Sequence, residues 1–304
     1  MSSYHEPVMK HEIVNNLEKK NNAVYVDVTL GMGGHTLAIM GSEKKPKKMI
    51  CIDLDEESLS IAEKNLSKYS NDISYIRGNF KDIDKLINEK VDVIIADLGI
   101  SSYQLLHSSR GFSFDEESVL DMRIDKKQPL TAHRIVNNYN IEDLSDVIKN
   151  FGEEKNHFKI ASAIVRHRSR EEIKTCLDLA TIIRKTNKSV SKIDAATRTF
   201  QALRLEVNGE LTSLEAFLSK SWSVLKEGGK LIVISFHSLE DRIVKQFFKN
   251  AESDCVCPKT VMICECNKIK TFRTLTKKPL VPSKEEISFN KRARSAKMRI
   301  GEAI

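Results

Sequence analysis

The sequence predicts an α/β protein: a doubly wound parallel sheet with an all-helical domain inserted after the fourth strand. Three observations carry this. Four apolar strand-like runs alternate with three helix-like stretches in roughly the first 100 residues, the pattern of a sheet wound by crossover helices. The fourth run, VDVIIADLG, is almost wholly apolar, as a strand covered on both faces should be. Residues 108–196 then show no convincing strand, before KLIVISF restores the sheet pattern.

Taken in order, residues 8–20 read as a short helix and 24–28 as the first strand. The strand runs into the glycine cluster LGMGGHT, with a helix from about His35. KKMICIDLD is the second strand, and EESLSIAEKNLSKY places Leu59, Ile61, Ala62 and Leu66 close to helical spacing. ISYIRG and FKDIDKLINE give the third strand and helix. Helices are expected at 131–138, 141–149, 153–169 and 175–188. The stretch from Thr197 to Leu225 reads as one amphipathic helix, apolar at 200, 203, 207, 211, 214, 218 and 225, and ended by Gly228-Gly229. KLIVISF is the fifth strand, SLEDRIVKQFFKN the helix after it, and 251–285 an irregular stretch. The domains predicted are 1–107 and 198–304 for the sheet, the latter ending in a basic tail, and 108–197 for the insert.

Composition narrows the function. With 40% hydrophobic and 30% charged residues in 304, the chain has the balance of an ordinary soluble protein. Its longest apolar run is too short and too acidic to span a membrane, and its polar start shows no signal-peptide pattern. Six cysteines without such a signal point to the reducing cytoplasm, where thiols or metal ligands are expected in place of disulfides. The net charge of +7 is uneven. Residues 155–204 hold 12 Lys/Arg against 4 Asp/Glu, and residues 267–299 hold 11 against 2. Two basic blocks suit a polyanion such as nucleic acid, and solvated lysine-rich surface equally.

The glycine turn YVDVTLGMGGHT can be read three ways. A dinucleotide site wants G-x-G-x-x-G/A; Gly31 and Gly33 fit, but Thr36 holds the third position. A P-loop wants G-K-[ST], which is missing. S-adenosylmethionine needs a close turn without a phosphate cradle, and its cationic groups suit a nearby acid. Asp27, four residues before Gly31, is such an acid. Asp53, 22 residues after Gly31, suits ribose hydroxyls in either adenosine ligand. The residues favour a methyltransferase over a dehydrogenase, and a plain strand–turn–helix connection stays open.

LGMGGHT, ADLGISSYQL, RGFSFDEESVLDMRID, FGEEKNHFKIASAIV, ATRTFQALRLEVNGEL, ISFHSLEDRIVKQFF and KPLVPSKEE with NKRARSAKMR together resemble the RsmH (MraW) family of bacterial 16S rRNA cytosine-N4 methyltransferases, from about His5 to Arg299. The resemblance implies a class I, Rossmann-like S-adenosylmethionine-dependent fold with an inserted helical domain. It also implies methylation of the N4 amine of a decoding-centre cytosine, cytosine 1402, in 16S rRNA of the small ribosomal subunit. Carried over by residue, the cofactor contacts fall on Gly33, Gly34, His35, Asp53, Phe80, Asp97 and Gln104. Tyr103 and Leu106 depart from the Pro and Asp often found beside Gln104, which bears on the shape of that loop. Methylation of another RNA or of protein, and a non-catalytic RNA-binding assembly factor, are the alternatives. A homodimer stays open.

Methyl transfer from a sulfonium is an in-line displacement that needs alignment and no metal. A hydrogen-bond acceptor near the cytosine amine would take up developing positive charge. Asp97, ending the fourth strand, is the carboxylate expected to polarise that amine or hold the cofactor; capping of the next loop is the bland alternative. The target base must leave its stack, and Phe112 or Phe114 could stack on it or simply pack a core. His237 could contact the RNA or the reacting amine, or stand by while Ser238 caps the next helix. Arg123, Arg198, Arg204 and the tail NKRARSAKMR suit phosphate contacts, or plain surface. Cys255, Cys257, Cys264 and Cys266 form C-x-C-x6-C-x-C, four thiols that can hold structural zinc, although C-x-C is tighter than the common C-x2-C knuckle. Cys51 and Cys176 read as core residues.

Overall fold

A computed structural model describes residues 6–107, 109–114, 117–187, 194–255, 257 and 266–304. In chain order its main elements are α1 (Lys10–Asn16), β1 (Val24–Asp27), α2 (Gly34–Met40), β2 (Lys48–Asp53), α3 (Glu56–Asn65), β3 (Ile73–Arg77), α4 (Ile83–Leu86) and β4 (Val91–Asp97). The helices α5 (Ser102–His107), α6 (Ala132–Asn138), α7 (Ile141–Gly152), α8 (His157–Arg168), α9 (Cys176–Thr186), α10 (Thr197–Asn208) and α11 (Glu210–Val224) follow. Then come β5 (Leu225–Ser235), α12 (Ser238–Glu252), β6 (Phe272–Thr274), α13 (Lys284–Phe289) and β7 (Lys297–Ala303).

The strands form one sheet in the order β3-β2-β1-β4-β5-β7-β6. The first five are parallel; β7 runs antiparallel to β5, and β6 antiparallel to β7. This is the class I methyltransferase arrangement the sequence implies. Strand period explains how the sheet is covered on both sides. In β4, Val93 and Ile95 face one apolar cluster with Tyr25, Met49 and Ile232, while Ile94 and Ala96 face the other with Val26, Ile50 and Phe217. A run that is apolar at every position is what such a strand requires.

The chain divides into two compact units: the residues up to Gly99 with Thr212–Ile304, and Ile100–Leu211. The division falls outside the expected boundaries of 108 and 197. Helix α10, assigned from sequence to the sheet domain, belongs to the helical unit, where Phe200, Leu203 and Val207 join a core with Leu144, Ile148 and Ile183. The single helix expected over 197–225 is two. Gly209 sits at φ 56°, a left-handed conformation that ends α10, and α11 restarts at Glu210. Gly228-Gly229 does not end that helix. The pair lies inside β5, which pairs irregularly with β4 between Val91 and Val93.

The basic tail is also a correction. Residues 297–303 form β7, the central antiparallel strand that joins β5 to β6. Its Met298 and Ile300 point into the sheet core at period two, a signal masked by the charges between them. Among the described residues, no helix is long and apolar enough to cross a membrane.

Candidate active site

The glycine turn is built by hydrogen bonds to buried carboxylates. Asp27, ending β1, accepts from the Thr36 hydroxyl at 2.9 Å and from the Thr29 backbone N–H at 3.2 Å. It is 1% exposed, and burial raises its pKa, opposed by the charge of His35 and the Thr36 hydroxyl. Asp27 is therefore a strut inside the turn, whereas the sequence suggested an acid facing a ligand. Asp53, ending β2, accepts from Gly31 N–H at 2.7 Å through Oδ2 and from Asp55 N–H at 2.8 Å through Oδ1. Burial pushes its pKa up to about 6 against the pull of those two N–H groups. Gly33 holds φ 84°, and a Cβ there would lie 2.8 Å from Leu66 Cδ1. The left-handed φ strains any other residue, and a Cβ would also force the Leu66 side chain to shift.

Helix α2 starts at Gly34, and its His35 reaches the end of β4. His35 Nε2 lies 3.1 Å from Asp97 Oδ2. Burial by itself would lower the His35 pKa; the hydrogen bond and charge of Asp97, with Asp27 and Glu286 beyond, raise it above its ordinary value. The Asp97 backbone N–H donates to Thr29 Oγ1 at 2.7 Å, so β1 sets the position of the carboxylate. Thr29 was missed in the sequence; a hydroxyl directly after a strand, beside a glycine turn, was the available signal. His35 Nδ1 and Asp97 Oδ1 are both buried, and neither has a hydrogen-bond partner among the described residues. Two orphaned polar atoms on one bonded pair at the carboxyl edge of a parallel sheet fit a polar ligand there.

Glu286, in α13, accepts from the Met9 backbone N–H at 2.8 Å, and Asn290 donates to the Glu6 carbonyl at 3.3 Å. These bonds tie the KPLVPSKEE segment to the start of the chain, whose Pro7 lies against Gly34. Phe80, after β3, packs edge-on against Phe217, with ring centroids 5.3 Å apart. The sheet thus gathers Gly33, Gly34, His35, Asp53 and Asp97 through bonded neighbours, and places Phe80 after the adjoining strand. Gln104 belongs to the helical unit. There its Oε1 accepts from Ser101 N–H at 3.0 Å while its own N–H donates to Ser101 Oγ at 3.2 Å, a reciprocal cap on α5.

A family model described as the MraW methylase family matches residues 2–304. The chain belongs to the MraW methylase family. It is 43% identical over 305 residues to "Ribosomal RNA small subunit methyltransferase H" of Caldicellulosiruptor bescii, covering 99% of each chain. It is 44% identical over 306 residues to the protein of the same name from Clostridium botulinum strain 657, again covering 99% of each. With the protein so named from Clostridioides difficile it shares 39% over 311 residues, the full length of both.

Other candidate residues of this MraW-family chain have mostly structural partners. Arg123 binds Asp121 through Nε and Nη2 at 2.7 and 2.9 Å, and donates to the carbonyls of Lys126 and Gln128. Arg204 is held by Glu210 at 2.9 Å. Arg299, in the supposed tail, is buried on Asp241 at 2.7 Å, beside Lys297 on the same carboxylate at 3.0 Å. Arg198 differs: its side chain is 50% exposed, and among the described residues it makes a 3.5 Å contact to the Glu153 carbonyl and a 3.9 Å approach to Glu154. Phe112 is a core residue of the helical unit, and Phe114 packs on Phe200 at 5.5 Å under the Arg184 guanidinium. His237, not Ser238, caps α12: its Nδ1 accepts from Glu240 N–H at 3.4 Å, and Glu240 Oε2 accepts from the Phe236 and His237 N–H groups. Cys51 and Cys176 are buried, as expected. The sulfurs of Cys255, Cys257 and Cys266 lie within 4.8 Å of one another; Cys264 lies outside the described residues.

Proposed function

We propose that this chain transfers a methyl group from S-adenosylmethionine to the N4 amine of cytosine 1402 in 16S rRNA, in the small ribosomal subunit and in the cytoplasm. The observation that carries the reading is Asp97 Oδ1, a buried acceptor with no partner among the described residues, at the end of β4. The family membership and the relatives' names support rRNA of the small subunit as the substrate; the N4 atom and the particular cytosine rest on the resemblance alone.

The residues fit the donor. Gly33 allows close approach at the turn, Asp53 keeps free lone pairs for ribose hydroxyls, and the orphaned atoms of Asp97 and His35 await polar partners. Gly34 and Phe80 flank the same edge. Bound there, S-adenosylmethionine supplies an electrophilic methyl carbon on a sulfonium. That carbon would be the electrophile for the lone pair of the cytosine amine, the carbon–sulfur pair would stay on sulfur, and the proton given up by the amine would pass to solvent. Asp97 accepts a hydrogen bond from the amine as positive charge develops, while His35 holds the other carboxylate oxygen in place.

The test is a transfer assay with labelled S-adenosylmethionine and small subunits from a strain lacking the homologous enzyme, followed by nucleoside analysis. Label is expected in N4-methylcytidine and lost in Asp97→Ala. Absence of label from subunits, with donor binding intact, would reject the acceptor.

A further inference from the structure

We propose that Cys255, Cys257 and Cys266 hold one zinc ion as thiolates, forming a structural clasp between the end of α12 and the approach to β6. The site is separate from the methyl-transfer edge, and the inference does not depend on the proposed reaction.

Geometry is the first support. The three sulfurs lie within 4.8 Å of one another, and those of Cys255 and Cys266 are 3.8 Å apart. That separation far exceeds a disulfide bond of about 2.0 Å. It equals the edge of a tetrahedron with metal–sulfur bonds of about 2.3 Å, which is about 3.8 Å. Thiols crowded at this distance have a ready use as ligands of a borderline-soft cation.

The second support is that backbone and lysine contacts bring the two segments together beside the sulfurs. Thr271 N–H donates to the Ala251 carbonyl at 3.0 Å. Lys268 Nζ donates to the carbonyls of Asn250 and Ser253 at the end of α12. Ser253 Oγ donates to the Cys255 carbonyl at 2.6 Å and accepts from its N–H. Cys266 is thus delivered to Cys255 and Cys257 from 11 residues away in sequence. The Cys257 N–H donates to Cys255 Sγ, 3.2 Å away, which fixes the two cysteines relative to each other.

The chemistry selects zinc. Three soft, anionic sulfur donors with no carboxylate in the cluster suit it over magnesium or calcium, which take oxygen ligands. Each thiol that binds releases its proton to solvent, so affinity rises with pH. Zinc changes no oxidation state, so the clasp requires no electron donor.

The full chain, purified under reducing conditions with zinc supplied, is assayed by elemental analysis and by cobalt(II) titration. Near-stoichiometric zinc is expected, with cobalt giving thiolate charge-transfer bands and tetrahedral d–d bands. Cys266→Ser and Cys255→Ser should weaken zinc binding by more than the roughly 10-fold that loss of even an outer partner costs. The cobalt spectrum of the unmodified chain keeps the test decisive if a variant fails to fold. Zinc-free protein with no cobalt spectrum, iron in place of zinc, a Cys255–Cys266 disulfide by mass, or unchanged zinc in Cys266→Ser would each overturn the proposal.

Discussion

The carboxyl edge of the sheet and the arginines of the helical unit are both rich in charge, yet they treat it differently. In the helical unit the charged groups largely satisfy one another. Arg123 spends its donors on Asp121 and two carbonyls, Arg184 grips Asp194 at 2.8 Å, and Arg168 donates to the carbonyls of Val136 and Tyr139. At the sheet edge, Asp97 and His35 bind each other, and each leaves one polar atom without a partner among the described residues. A buried polar group costs free energy unless it is bonded. The helical unit also holds buried atoms without a partner among the described residues, such as Thr199 Oγ1. The half-satisfied pair at the carboxyl edge of a parallel sheet is therefore a candidate ligand site by its place as well as by its open atoms. Charge alone does not separate the two.

The largest test of that contrast is at Asp97. Asp97→Asn should lower the methyl-transfer rate by about 10²- to 10³-fold with an unchanged circular dichroism spectrum. A loss below tenfold would remove Asp97 from the chemistry. The turn comes next. Gly33→Ala forces a side chain into a left-handed position against Leu66, and should cost about 1–3 kcal/mol in denaturant unfolding. Full retention of stability would mean the turn relaxes. Arg123→Ala should destabilise the chain by a similar or smaller amount, about 1–3 kcal/mol, while leaving the salt dependence of RNA binding untouched. A changed salt slope with unchanged stability would reverse its assignment.

Titration sharpens the contrast further. Asp53, with its pKa pushed up to about 6, should accept ribose hydroxyls best when ionised. Donor affinity measured by calorimetry should therefore fall by up to about tenfold from pH 7 to pH 5, and Asp53→Asn should flatten that profile. The sign for stability is opposite: a carboxyl whose pKa is raised on folding favours the native state below its unfolded pKa. That contribution disappears as pH rises through about 6. The smallest effect is at Arg198, half-exposed and loosely held. Arg198→Ala should reduce the salt slope of RNA binding by about 0.7–0.9 with little change in stability; an unchanged slope would leave Arg198 as surface.

Much of this was legible in the sequence because it is local. The strand after strand alternation, the glycine turn, and Asp53 and Asp97 at strand ends all follow from period and spacing within a few residues. The errors came where folding chose the hydrogen-bond partner, in one case far along the chain and in others only a few residues away. Arg299 looked like a phosphate contact until Asp241, 58 residues away, took it. His237 became a cap because Glu240 closes the box with it. Asp27 faces Thr36 and Thr29 where a ligand was expected, since the turn folds back over β1.

The sequence by itself determined five strands of the sheet, the helical insert, and that Asp53, Asp97 and the glycine turn stand at the carboxyl edge, because hydrophobic period and turn chemistry are written along the chain. The family came from the resemblance of longer motifs. Tertiary structure decided that residues 297–303 are a strand between β5 and β6, that α10 packs with the helical unit, and that Asp97 Oδ1 is left open while Arg123 is not. It also decided that cysteines 255, 257 and 266 converge. Strand pairing and hydrogen-bond satisfaction are properties of pairs, and which acceptor a donor meets is settled only by the folded geometry, whether the partner is two residues away, as for Arg123, or 58, as for Arg299.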